Sequence, residues 1–125
     1  MAEPVIRTAN PDDDFSELYP DGFFLLPWDL SLVFVAVEEE RVVGALIVWD
    51  SNHPLLYVDH FRVREEQRGH YIGYRLLEAV DAYAREHKKT AVFGFALDKE
   101  YIEAARRFGA IISPFAYTLL TRVID

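Results

Sequence analysis

Residues 67–73 read QRGHYIG, and they hold the residue types that could bind an anion: Gln67, Arg68, Gly69 and Gly73, with Arg75 just beyond. The segment joins a stretch with strand character to one with helical spacing. Where a strand runs into a helix, the first helical N–H groups point into the joint. Those donors, with the positive end of the helix dipole, suit a phosphate. Glycine permits positive φ and close approach of a ligand to the backbone. Gln67, Arg68 and Arg75 add side-chain donors or charge. The spacing alone is equally compatible with an ordinary solvated strand-to-helix turn. Tyr71, in the middle of the joint, is bulky for such a position.

The elements that must position this joint are legible from periodicity. Upstream, LLYVDHFRV (residues 55–63) reads as a strand. Downstream, Ile72, Leu76, Leu77, Val80, Tyr83 and Ala84 recur at helical spacing over about four turns. TAVFGFAL (residues 90–97) is a continuous apolar run, as expected of a strand buried on both faces. A strand-helix-strand order requires a crossover, which makes residues 58–63 and 92–97 parallel. Further upstream, VIRTA is a short strand, and NPDDDFSELYPDG, opened by Asn-Pro and closed by Pro-Asp-Gly, has room for one or two helical turns. FFLLPWDL is apolar and irregular. SLVFVAVEEERVVGALIVWDS is a hairpin with its charged turn at residues 38–41. DKEYIEAARRFG is a helix with Asp98 as N-cap and Gly109 as its stop. AIIS and FAYTLLTRVI form a closing hairpin broken at Ser113-Pro114, because Pro114 cannot donate to a ladder. The fold class is α/β (α+β): a mixed, mostly antiparallel sheet with helices.

Bulk properties narrow the function. A chain of 125 residues fits one domain spanning 1–125, and 51% apolar with 14% aromatic residues supports a core. A net charge of -8 disfavours nucleic acid held by phosphate attraction and disfavours an anionic membrane surface. No apolar run approaches the roughly 20 residues of a membrane span. With no cysteine there is no disulfide framework, thiolate nucleophile or cysteine-ligated zinc. His53, His60, His70 and His87 show no metal-ligand spacing with carboxylates, so no metal is expected. The segment MAEPVIRTANPDDD has no apolar export signal, and the expected location is cytoplasmic.

The joint and its surroundings resemble the acyl-CoA loop of the GNAT superfamily of N-acetyltransferases. That loop has a Gln or Arg, two free positions, Gly, one free position, then Gly or Ala. Here the register runs Arg68, Gly69, His70, Tyr71, Ile72, Gly73, so Tyr71 stands where the family has its first Gly. HFRV before the loop, YRLLEAV after it, the element order and the RRFGA step also fit, and the likeness covers nearly all the chain from Ser31. The resemblance implies a V-shaped cleft between two splayed parallel strands and acetyl-CoA as co-substrate. It implies a pyrophosphate on the amides of Arg68, Gly69, His70, Tyr71, Ile72 and Gly73, and a pantetheine arm along the strand at Phe61 and Val63. It implies a general acid, usually a Tyr four residues before the Gly of the final step. Ala105 holds that position here, and Tyr101 lies one helical turn earlier on the same face. A general base is also implied, because amine acetylation needs the amine neutral. Asp59 falls where some members carry a Glu, and in a regular strand His60 points to the opposite face.

Two classes of function follow. The first is an acetyl-CoA-dependent N-acetyltransferase acting on a small amine or a Lys-bearing protein, and the acidic balance suits a cationic acceptor. The second is a non-catalytic GNAT-fold protein with assembly partners. Small domains with this kind of altered loop resemble ones encoded by bacteriophages, some of them virion components.

Overall fold

A computed structural model of the protein describes residues 4–19, 31–50, 54–64, 66, 71–96, 102–103, 106–107, 111–113 and 118–123. The side chains at positions 31, 60, 95–96, 111–113 and 118–123 lie outside the description. Strands β1 (Val5–Thr8), β2 (Ser31–Glu38), β3 (Arg41–Trp49) and β4 (Leu55–Val63) lead into helix α1 (Ile72–Glu86). Strands β5 (Ala91–Ala96), β6 (Ile111–Ser113) and β7 (Thr118–Val123) follow. One seven-stranded sheet has the order β1-β2-β3-β4-β5-β7-β6. β4 and β5 pair in parallel, as the crossover argument requires, and the other neighbours are antiparallel.

The β2–β3 hairpin turns on Glu39 and Glu40, which both adopt positive φ (52° and 65°). Two left-handed residues match the twist of the flanking strands. Here glutamates accept that conformation because the paired strands on either side impose it. The described part of the acidic segment after β1 makes two turns, with Asp13 N–H donating to the Asn10 carbonyl at 3.0 Å and Tyr19 N–H to the Phe15 carbonyl at 2.8 Å. β6 ends at Ser113, where the Ser-Pro break was expected, and pairs with β7. Asp98, Tyr101, Ala105, Gly109 and Pro114 lie outside the described residues. Residues 102–103 and 106–107 are helical.

Two apolar layers cover the sheet. On one face, Ile72, Leu76, Leu77, Val80 and Ala84 of α1 are buried. They pack with Leu46, Val48, Leu56, Val58, Val63 and Val92, as their spacing foretold. On the other face the 15–19 turn packs Phe15, Leu18 and Tyr19 over Val33, Val35, Ala45 and Ile47. One expectation fails in part. Ala91 and Val92 are buried, but Phe93 is only partly so, because it lies on the face that α1 does not cover.

α1 sits close to β3 at Gly44. A Cβ there would stand 3.1 Å from Ile72 Cγ2 and 3.2 Å from Leu76 Cδ1. Those residues form the first turns of α1, so Gly44 sets how near the helix start comes to the sheet. At the other end of α1, the Tyr83 hydroxyl donates to Asp50 Oδ2 at 2.6 Å, and Lys89 Nζ pairs with Asp50 Oδ1 at 2.7 Å. Removal from water, then the Asp50 carboxylate, pushes the Tyr83 phenol up to about 12.

Gly44→Val should lower stability by roughly 1–3 kcal/mol, the usual range for overpacking, read as a lower urea midpoint at unchanged slope. A second expectation concerns acid. Arg7 forks onto Asp13 with two 2.9 Å bonds. Hydrogen bonding from Arg7 holds the Asp13 carboxyl below its ordinary value despite partial burial. A depressed folded-state value means the contribution is complete above the unfolded value of about 3.9 and is lost as pH falls below it. Asp13→Asn should therefore lower the unfolding free energy by a constant amount above about pH 5 and converge on the parent chain as pH falls, which gives a shallower acid limb.

Candidate acyl-CoA site

β4 lies between two ladders and does not follow both to its end. Its pairing with β5 runs from Leu55↔Ala91 to Val58↔Gly94 and stops, while β4 continues to Val63. On its other side β4 stays with β3 but slips register, since Val58 faces Val48 and His60 faces Ile47. Asp59 is the extra residue of a β-bulge. A bulge bends its strand and sharpens the local twist, which carries residues 59–63 away from β5. The expected V-shaped opening between the parallel strands thus has a local cause.

The bulge also interrupts the strict alternation of faces on which the sequence reading of β4 relied, and the His60 side chain lies outside the description. Strict alternation does not persist through an inserted residue. Val58 and Phe61 both pack in the α1 layer, although they stand three apart. Position 60 pairs with Ile47, which belongs to the opposite layer. A second bulge shows the same effect at Val43 and Gly44, neighbours in sequence that both address α1. Arg64 N–H donates to the Val43 carbonyl at 2.8 Å and so extends the β3–β4 contact past Val63.

Asp59 is exposed, and its Oδ2 accepts from Trp49 Nε1–H at 2.9 Å. Trp49, at the end of β3, is the register partner of Tyr57, which in turn is partnered by Phe93 of β5. The Tyr57 and Phe93 rings lie 5.2 Å apart, inclined at 46°. Desolvation, then the Asp59 charge, raises the Tyr57 phenol above its ordinary value. Next to this aromatic wall the 15–19 turn is fastened to β4. Arg62 lies 4.9 Å over the Tyr19 ring and donates to the Leu18 carbonyl at 3.0 Å. Arg64 pairs with Glu17 and Glu66.

The residues expected at the co-substrate divide into two groups. Ile72 is buried, Val63 is buried and Phe61 is partly buried, all packed in the α1 layer. A ligand alongside would meet their backbone. Gly73 is half-buried in the first turn of α1. That turn has no side-chain cap and no acidic residue, which suits an anion at the positive end of the helix dipole. Tyr71 is the N-cap at φ 62° and ψ 13°, left-handed as a glycine would be, and it is 66% exposed. The backbone takes a conformation that suits glycine, and the ring points to solvent. Arg75 does not serve the loop with the Nη1 it uses to donate to the Pro4 carbonyl at 2.8 Å. Arg68, Gly69, His70 and Tyr101 lie outside the described residues.

The sequence reading did not pair Trp49 with Asp59. The available signal was the adjacent polar pair Asp59-His60, which breaks the alternation of the strand and is compatible with a bulge. Among the described residues no cluster of His, Cys, Asp or Glu could hold a metal ion, and no helix is long and apolar enough to cross a membrane.

Comparison with known proteins agrees with this geometry. No curated sequence matches the chain. The fold matches an acetyltransferase of Elizabethkingia anophelis with acetyl-CoA bound, at TM-score 0.77, 13% identity, and 98% and 99% coverage of the two chains. Nourseothricin acetyltransferase matches at TM-score 0.77, 19% identity, and 99% and 100% coverage. IAA acetyltransferase from Bacillus cereus matches at 0.76, 15%, and 96% and 99%. At these identities the likeness is one of fold. The acetyltransferase (GNAT) family model matches residues 4–110, which span β1 through α1 and β5 and include the broken strand pair and the helix that follows it. The chain therefore belongs to the GNAT acetyltransferase family.

Proposed function

We propose that the protein transfers an acetyl group from acetyl-CoA to the nitrogen of an amine. One observation carries this reading: β4 leaves β5 after Val58 and continues toward an uncapped helix N-terminus. An extended thioester arm can lie along β4 at Phe61 and Val63, with its phosphates at the loop of residues 68–73. The residues present suit such a co-substrate in charge as well, since the first turn of α1 has no carboxylate to repel a phosphate.

In the proposed step the amine nitrogen attacks the thioester carbonyl carbon, a C–N bond forms and the C–S bond breaks. Asp59, on the bulge at the mouth of the opening, takes the proton that the ammonium must lose, directly or through a water. Tyr101 is the proposed donor of a proton to the departing thiolate, and its phenolate recovers the second proton that the nitrogen sheds as the amide forms. The outward Tyr71 ring favours an open cradle over a filled one, and with it catalysis over the assembly role.

Acetyl-CoA at a hundredfold its Kd should stabilise the chain by about 2.7 kcal/mol, read as a higher melting temperature. Tyr71→Gly should relieve a left-handed strain of about 1–3 kcal/mol and bind CoA at least as well by calorimetry. Absence of a CoA-dependent shift in both proteins would reject acyl transfer and leave the assembly role. A marked gain in affinity on Tyr71→Gly would show that the ring obstructs the cradle.

A further inference from the structure

We infer that the amine acceptor is one whose ammonium group adjoins a flat apolar body, such as an arylalkylamine, seated on a wall made by Trp49, Tyr57 and Phe93 with Asp59 at its edge. The inference rests on the acyl-transfer reading and deepens it by specifying the acceptor.

The wall follows from register. Val48, Leu56, Val58 and Val92 pack beneath α1. Their strand neighbours Trp49, Tyr57 and Phe93 therefore occupy the other face, and cross-strand pairing sets them side by side, Trp49↔Tyr57↔Phe93. All three are only partly buried. The 15–19 turn covers a neighbouring part of that face, over β2 and β3, and among the described residues its packed layer does not include the three aromatic residues. The row of rings ends where β4 and β5 part, one residue before the bulge. Asp59 projects there, and the 2.9 Å bond from Trp49 Nε1–H orients its carboxylate. That bond occupies one oxygen atom and leaves Oδ1 to face an ammonium.

Two recognition elements thus adjoin at the reacting end of the opening. Aromatic faces attract both flat apolar groups and cations. A carboxylate beside them selects a positive charge over a neutral or negative one. A flexible alkyl amine satisfies the carboxylate but gains less from the wall, because it loses more rotamer freedom on contact with it. Trp49 contributes twice, as part of the wall and as a positioning residue for Asp59.

The test is calorimetric titration of the full chain with 2-phenylethylamine, hexylamine and 3-phenylpropanoate, each with and without saturating CoA. The expected result is saturable binding of 2-phenylethylamine, at least fivefold tighter than hexylamine, and no binding of the carboxylate. Asp59→Asn should weaken 2-phenylethylamine at least tenfold and leave the CoA titration unchanged. Trp49→Leu should abolish the preference over hexylamine, and Trp49→Phe should keep part of it. Equal affinity for the two amines, undiminished binding by Asp59→Asn, or no amine binding in either condition would overturn the inference. Amine binding in a chain that does not bind CoA would support the wall and reject acyl transfer, so the two failures are distinguishable.

Discussion

β4 cannot satisfy two neighbours along its whole length. Up to Val58 it pairs with β3 on one side and β5 on the other. At Asp59 an extra residue enters the β3 ladder, the strand turns, and the parallel ladder to β5 ends. Three described features meet around that residue. The opening begins there, the only polar side chain described on the bulge stands at its mouth, and the aromatic row ends beside it.

An opening made by breaking a sheet needs its closed end held and its open end supported. Asp50, at the end of β3, ties Tyr83 of α1 and Lys89 before β5 together, and Thr90 N–H donates to the Pro54 carbonyl at 2.7 Å. These contacts fix the side where β4 and β5 begin in register. On the open side, Gly44 admits the first turns of α1 against β3, with Ile72 and Leu76 filling the space a side chain would take. The uncapped helix start is thus set beside the end of β4. Tyr71 starts the helix from a left-handed backbone, a conformation that glycine adopts more readily. The chain bears a local strain there, and the exposed ring yields nothing to the core in return.

Much of the fold was legible because its signals are local. The spacing of Ile72, Leu76, Leu77, Val80 and Ala84 states a helix and its buried face. The β-branched runs on either side of the Glu39-Glu40 turn state a hairpin, and the strand-helix-strand order states the parallel pair. The site was less legible because it depends on register, which is a property of two strands together. Period-two reasoning assumes strict alternation along β4, and only the pairing with β3 reveals the inserted residue. The Trp49–Asp59 bond is invisible for the same reason, since ten positions of sequence separate its partners. Phe93 looked like core because a continuous apolar run carries no sign of which face lacks a covering layer. Tyr71 stands out in the sequence as bulky for its position, but the outward direction of its ring is a tertiary fact.

The central claim is that the broken edge of β4 receives the acyl-CoA arm. Amide hydrogen exchange with and without CoA tests it most directly. The account predicts slowed exchange concentrated at residues 59–63 and the start of α1, with little change at residues 55–58 and 91–94, which already share a ladder. Unchanged exchange at residues 59–63 in the presence of saturating CoA, or protection confined to other strands, would contradict it.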